Sequence, residues 1–281
     1  MAGDLSDEIP LARTVLAEKR LYKFRSLASA EQKDWVKDIV LRNRIRFSRP
    51  SELNDPIEGK PIFCLGDCES KNYRDQFEEW VWNTQHHVKD RPPKQVFMAW
   101  LHKLSKKDHE GYIEEIVKEN QAAIEARWRI LSFSANPVHD LLWSHYADSH
   151  RGVALVFDAS GGEFGIAFKV EYVAERTPLE ISTQDGVSIL RASALTKRAA
   201  WAYEDEYRCL ASEYGDQTLN LHEQFLTFDP CRLLGVILGA NCAQSDKEAI
   251  IGWSKKRPVP LTIFQAAISI NGSVMVAPYA P

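Results

Sequence analysis

The chain has 281 residues, 44% of them apolar and 26% charged, with 35 Lys+Arg set against 39 Asp+Glu for a formal charge of −4. That composition excludes a disordered, collagenous or coiled-coil chain and fits a protein able to fill a core. It also lacks the basic excess of a protein that wraps nucleic acid through its phosphates. The longest apolar stretch, Leu233 to Ala240, is far short of the about 20 residues that a bilayer span needs, so no membrane partner is expected. The acidic first residues lack the basic and apolar regions of a secretory signal, which points to a cytoplasmic location. Five cysteines (Cys64, Cys68, Cys209, Cys231, Cys242), odd in number and widely spread, read as thiols of a reducing compartment.

In chain order, Leu21-Tyr22-Lys23-Phe24-Arg25 alternates like a half-buried strand, and Ser29-Ala30-Glu31-Gln32 has capping-box spacing before the amphipathic run Trp35, Val36, Ile39, Val40. Ile45 to Ser48 is a second short strand, stopped by Pro50 and followed by the turn-rich Asn54-Asp55-Pro56. From about residue 70 to 129 the period becomes helical, with Phe77, Trp80, Val81, Tyr112, Ile113, Ile116, Val117 and Ile124 recurring among charges. Pro92-Pro93 divides this helical insertion. Strand signals return at Ile130 to Ser134, Gly152 to Phe157, Phe168 to Tyr172 and Glu206 to Leu210. The tail reads as strand (Leu233 to Leu238), helix opened by a capping box at Ser245-Asp246-Lys247-Glu248, strand (Leu261 to Ala267) and an edge strand (Ser273 to Val276). The expectation is one α+β domain over residues 1–281, in which strands of the first 50 residues pair with strands beyond residue 130 and the insertion is appended.

The most pointed chemical feature is Tyr203-Glu204-Asp205-Glu206-Tyr207-Arg208. If this stretch is extended, Glu204 and Glu206 face one side, where like charges raise one another's proton affinity and a carboxylate steadies a developing cation. A solvated acidic strand start beside Arg208 is the plainer alternative. His145 to His150 lacks the i, i+4 spacing of a zinc helix and suits a helix C-terminus that turns at Gly152. Cys64-Leu65-Gly66-Asp67-Cys68 is half a metal clip without its second half, and His86-His87 reads as a solvated helix face. The basic clusters at Arg42 to Arg49 and Lys255-Lys256-Arg257 suit phosphates or exposed helix ends equally. Dinucleotide-fold, P-loop and nucleophile-elbow glycine motifs are missing.

Several segments in the right order, Leu21 to Arg25, Arg46 to Pro50, Leu53 to Glu58, Leu142 to Tyr146, His150 to Gly152, Lys197, Trp201 and Tyr203 to Arg208, together resemble the bacterial domain-of-unknown-function family 2971. A weaker resemblance is to ADP-ribosyltransferases of the Arg-Ser-Glu type. It implies a mixed or antiparallel split sheet presenting Arg25 on the first strand, Ser132-Phe133-Ser134 on another, with Phe133 where Thr is usual, and Glu204-Asp205-Glu206 on a third. By that resemblance NAD is the substrate. Arg25 holds its phosphate or ribose, Ser132 or Ser134 braces the site, and Tyr22 or Tyr146 stacks nicotinamide. Glu206 is the catalytic residue, Glu204 assists a protein or nucleic-acid acceptor, and no metal takes part. Glu206→Gln is then expected to keep the fold. Toxin action, phage defence and housekeeping are the open roles, and the oligomeric state is open too. Two rival readings are a metal-dependent phosphodiesterase or nuclease built from Asp55, Glu58, His145, Glu204 and Glu206, and a non-catalytic interaction module.

Overall fold

The computed structural model describes residues 20–55, 57–64, 66, 70–84, 92–103, 106–180, 186–212 and 219–280. Eight strands form one mixed sheet: β1 (Arg20–Arg25), β2 (Trp128–Ser134), β3 (Val153–Asp158), β4 (Phe168–Lys169), β5 (Glu206–Ser212), β6 (Leu233–Leu238), β7 (Thr262–Ile268) and β8 (Val274–Pro278). Their order is β8-β7-β6-β3-β1-β2-β5-β4. Among the described residues, the β6–β7 pair is the one parallel pair of this sheet. The first strand therefore pairs with two strands that follow the helical insertion, the arrangement the fold-class reading expects.

Two apolar layers sandwich this sheet. In β3 every residue from Val153 to Phe157 is buried. Val153, Leu155 and Phe157 join the layer under α1 (Ala30–Arg42), whereas Ala154 and Val156 face the opposite layer with Phe24, Leu142 and Trp143. A continuous apolar run is what a strand covered on both faces requires. The helix α1 starts at the predicted capping box, Ser29 with Gln32, and buries Val36, Ile39 and Val40. The insertion forms α2 (Lys71–Thr84), α3 (Lys94–Leu101) and α4 (Lys106–Arg127); α2 and α3 share a separate cluster of Tyr73, Phe77, Val81 and Leu101. The sixth and seventh helices are α6 (Gly186–Ala194) and α7 (Gln244–Ser254), and α5 (Asp140–Tyr146) precedes β3. Among the described residues no helix is long and apolar enough to cross a membrane.

Some local expectations need correction. The last helix begins at Gln244 with Ala243 as its cap, so Ser245 lies inside it and no side chain caps it. The strand expected over Phe168 to Tyr172 is two short strands separated at Val170, because Val170 turns its amide onto the Glu206 carbonyl. After α5 the left-handed turn is made by Asp148, Ser149 and His150, not by Gly152. Gly152 is small for another reason: a Cβ there would lie 2.1 Å from the Arg25 carbonyl oxygen. Cys68 and His86-His87 lie outside the described residues, and Cys64, Cys209, Cys231 and Cys242 are free thiols.

Candidate active site

The sheet opens between β1 and β2. On one edge β2 pairs with β5 along its whole length, from Glu206 opposite Ser134 to Ser212 opposite Trp128. On the other edge, among the described residues, it meets only Tyr22 at Ser134 and Ser48 at Ile130. Between those two points the Ser132 carbonyl accepts a hydrogen bond from the Lys23 ammonium at 2.6 Å instead of a backbone amide. A cavity of about 190 Å³ occupies this opening, and its walls include Tyr22, Arg25, Ser132, Ser134, Tyr146, Glu204 and Glu206. All seven residues singled out in the sequence thus face one cavity.

Strand pleating explains why. Alternate residues of a strand face opposite sides. Phe133 packs on Phe157 and Phe164 in the core, so its neighbours Ser132 and Ser134 face the cavity. Likewise Tyr207 and Cys209 lie in the core while Glu206 and Arg208 lie across from Ser134 and Ser132. Glu204 arrives differently from the expected extended pair. It ends a 3-10 segment, Ala199–Glu204, and Asp205 takes a left-handed φ of 40° before β5 starts. The bend turns both carboxylates onto one ammonium, Lys197, at 2.6 Å for Glu204 and 3.2 Å for Glu206.

The plainer alternative, a solvated acidic edge, does not hold: Glu204 and Glu206 are 4% exposed and Arg208 is 0% exposed. Arg208 donates to Glu206 from Nε and Nη2, to the Ala194 carbonyl from Nη1, and to Glu58 from Nη2. Burial alone would push the Glu206 carboxyl up, but Arg208 and Lys197 outweigh it and hold the pKa at about 2. The Ser132 hydroxyl, on the facing strand, lowers it a little further. Glu204 goes the other way. Burial raises it, and Lys197 opposes that only in part while Glu206 adds to the rise. Two neighbouring carboxylates pushed in opposite directions are suited chemically to different tasks, one as a fixed negative charge and the other as a proton carrier.

The remaining walls are cationic or committed. Burial, then the Arg25 charge, pushes the Lys23 ammonium well below the lysine range. The Arg25 Nε is buried with no hydrogen-bond partner among the described residues, and burial lowers its pKa to about 10. A buried donor left without an acceptor is costly, which makes it a ready receptor for an anion. The Tyr146 hydroxyl donates to Glu204 Oε1. Ser134 is spent on a turn, its Oγ accepting from the Asn136 amide at 3.0 Å, so Ser132 is the serine left to brace Glu206. Tyr22 packs beside Phe24 and Trp143 with one side on the cavity.

The five residues of the metal reading do not converge. Glu58, Glu204 and Glu206 are turned onto Lys197 and Arg208, Asp55 accepts from the Ile57 amide and the Trp201 indole, and His145 meets the Tyr203 hydroxyl. Among the described residues no group of three or more His, Cys, Asp or Glu is placed to hold a metal ion. Of the basic clusters, Arg257 is not a surface cation. It is 7% exposed and donates to the carbonyls of Val40, Pro230 and Val259. Sequence reasoning assigned no role to Lys23, and gave Asn54 or Asp55 the fixing of a loop beside the cleft. The signal for Lys23 was its place two residues from Leu21, on the strand face that Leu21 buries.

Residues 142–209 match the family model described as "Protein of unknown function (DUF2971)", a stretch that carries Tyr146, Lys197, Glu204, Glu206 and Arg208. The segments around Tyr22 to Arg25 and Arg46 to Glu58 lie outside the matched range. No curated protein and no solved structure matches the chain.

Proposed function

We propose that this chain is an ADP-ribosyltransferase-like enzyme that cleaves the nicotinamide–ribose bond of NAD and passes ADP-ribose to a macromolecular acceptor, protein or nucleic acid. One observation carries the reading: a half-buried Arg25, whose Nε is buried and has no partner among the described residues, and an ionised Glu206 face the same cavity at the parting of β1 and β2. NAD has the matching chemistry, with a pyrophosphate anion for Arg25 and a ribose that becomes cationic at C1′ as nicotinamide departs.

In the reaction the C1′–N bond breaks and its electron pair leaves with nicotinamide, which becomes neutral. Glu206, held charged by Arg208 and Lys197, offsets the positive charge growing on the ribose. The acceptor then bonds to C1′ and releases its proton to Glu204, whose raised pKa suits a carboxylate that takes up a proton. Tyr146 and Lys197 keep the Glu204 carboxylate in place. The two carboxylates thus act in sequence.

The test follows nicotinamide release and transfer of labelled ADP-ribose from NAD to water, protein, RNA and DNA, with chelator present throughout. Arg25→Ala is expected to weaken NAD binding, since a phosphate contact acts in ground and transition state alike. Glu204→Gln is expected to slow transfer to the acceptor more than it weakens NAD binding. A wild type that neither binds NAD nor releases nicotinamide with any of these acceptors sinks the proposal.

A further inference from the structure

A second cavity of about 300 Å³ adjoins the first, and the two share Arg25, Arg46, Ser48 and Glu52 along their common wall. The first alone falls below the about 300–1,000 Å³ usual for small-molecule sites; the two together come within that range. The far side of the second cavity carries Trp35 from α1 and Arg44 with Phe225. Arg44 and Arg46 belong to a short strand, Arg44–Arg46, that pairs with Phe225–Thr227.

The wall chemistry is that of a nucleotide site. Both acids that face the second cavity are already neutralised. Asp38 accepts from Arg42 at 2.9 Å and from Arg44 at 2.7 Å, and Glu52 accepts from Arg46 at 2.6 Å and from the Arg49 amide at 2.9 Å. Arg25 is left as the surplus cation on the shared wall, its Nε buried and without an acceptor. Arg46 stands close enough that its charge also lowers the Arg25 pKa, so an anion between them relieves a repulsion. Trp35 is 43% exposed on a helix whose neighbouring Val36, Ile39 and Val40 are buried, and it leaves an indole at the cavity edge. The Phe225 ring has its own face covered by the Arg44 guanidinium, 4.4 Å from the centroid. The free aromatic surface there is therefore that of Trp35.

We infer that the second cavity takes the adenine nucleotide half of a dinucleotide, with Trp35 stacking on the purine and with Arg25 and Arg46 receiving the pyrophosphate where the cavities join. This rests on the NAD reading above for the identity of the other half. Stacking on an aromatic ring and a pair of guanidinium groups are the usual elements of base and phosphate recognition.

The experiment is calorimetric titration of the full chain with ADP, with inorganic pyrophosphate and with nicotinamide mononucleotide, together with steady-state kinetics on NAD. Trp35 is at the surface, so Trp35→Ala is expected to fold as the wild type does, and circular dichroism checks this. The expected result is that wild type binds ADP, that pyrophosphate competes with it, and that Trp35→Ala weakens ADP about tenfold or more. Trp35→Phe is expected to restore most of this, and nicotinamide mononucleotide is expected to bind all three proteins alike. On NAD, Trp35→Ala is expected to raise KM and leave kcat, the pattern of a contact made equally in ground and transition state.

The two proposals fail separately. ADP binding that depends on Trp35, without NAD turnover, keeps this inference and removes the transferase. NAD turnover with unchanged KM in Trp35→Ala does the reverse. A wild type that does not bind ADP overturns the inference outright.

Discussion

Arg208 grips Glu206 with two parallel hydrogen bonds, Nε to Oε1 at 2.8 Å and Nη2 to Oε2 at 2.9 Å, two residues apart on the same face of β5. Both side chains are buried, and Lys197 adds a second cation to Glu206 at 3.2 Å. The near-equal size of Gln therefore does not make Glu206→Gln a silent change, contrary to what the sequence suggests. It leaves two buried cations with only Glu58 and Glu204 to balance them. Breaking a buried ion pair by removing one partner typically costs about 3–5 kcal/mol. Urea unfolding of the variant is expected to show a loss of that order, so its activity must be read at a temperature where circular dichroism shows it folded. Stability equal to wild type would mean that the pair is not formed in solution.

The same pair sets the acid limb of the stability curve. An acid whose folded pKa lies below its unfolded value stabilises the fold above the unfolded value, and this is lost as the pH falls through the folded one. For Glu206 the window runs from about 4.5 down to about 2, and the contribution at stake is on the order of 3 kcal/mol. Glu204, with its pKa raised, has the opposite sign: its charged form costs stability at neutral pH, and protonation relieves that cost as the pH falls through its raised value. Urea midpoints measured from pH 7 down to pH 2 are expected to rise slightly before falling. In Glu204→Gln the rise should vanish, and in Glu206→Gln the fall should be shallower. A rise that survives in Glu204→Gln would assign it to another group.

How much of this was legible in the sequence varies with the physics involved. Runs that bury one or both strand faces were readable, because their period is local: Leu21 to Arg25, Gly152 to Phe157 and Leu233 to Leu238 all became strands of the main sheet. The pairing of β1 with strands over 100 residues away followed from fold-class reasoning, not from any local signal. What escaped was the charge network. Lys197 sits on a three-residue strand, Thr196–Arg198, and reaches Glu58, Glu204 and Glu206 only because the bend at Asp205 brings the last two together. No periodicity announces a left-handed aspartate. The alternation of Tyr-Lys-Phe-Arg did place Lys23 on the buried face of Leu21, but an isolated lysine on such a face usually marks an edge strand.

Asp55 connects the loop before the insertion to the 3-10 segment beside the cavity. It is 3% exposed, with Oδ1 accepting from the Ile57 amide at 3.1 Å and Oδ2 from the Trp201 indole at 3.0 Å. Asp55→Ala strands both donors, and a buried donor left unpaired costs about 1–3 kcal/mol. Thermal unfolding is expected to register this loss. Because the Trp201 segment leads directly into Glu204, transfer activity should fall with it. Activity lost at unchanged stability would assign Asp55 to the ligand instead of to the loop.

Arg25 provides the last test, because on the proposed NAD reading its site exchanges stability for binding. Its Nε is buried without a partner, Arg46 repels it, and the lowered pKa of about 10 records both costs. Arg25→Met keeps an unbranched apolar stem as far as the position of Nε while removing the charge and the orphaned donor. In the free protein this substitution is expected to raise stability by about 1 kcal/mol, the low end of what an unsatisfied buried donor costs. The backbone of Arg25 is unaffected by the change, since its pairing with Val153 in β3 uses main-chain groups alone. With NAD present the order should reverse. A ligand that binds only the folded state stabilises it in proportion to ligand concentration over Kd, so wild type should gain in thermal midpoint with added NAD while Arg25→Met gains little. The measurement is a pair of melting curves for each protein, with and without NAD. If Arg25→Met is less stable than wild type without ligand, the guanidinium has an acceptor that makes it structural. If both proteins gain equally from NAD, the anion is held elsewhere in the cleft.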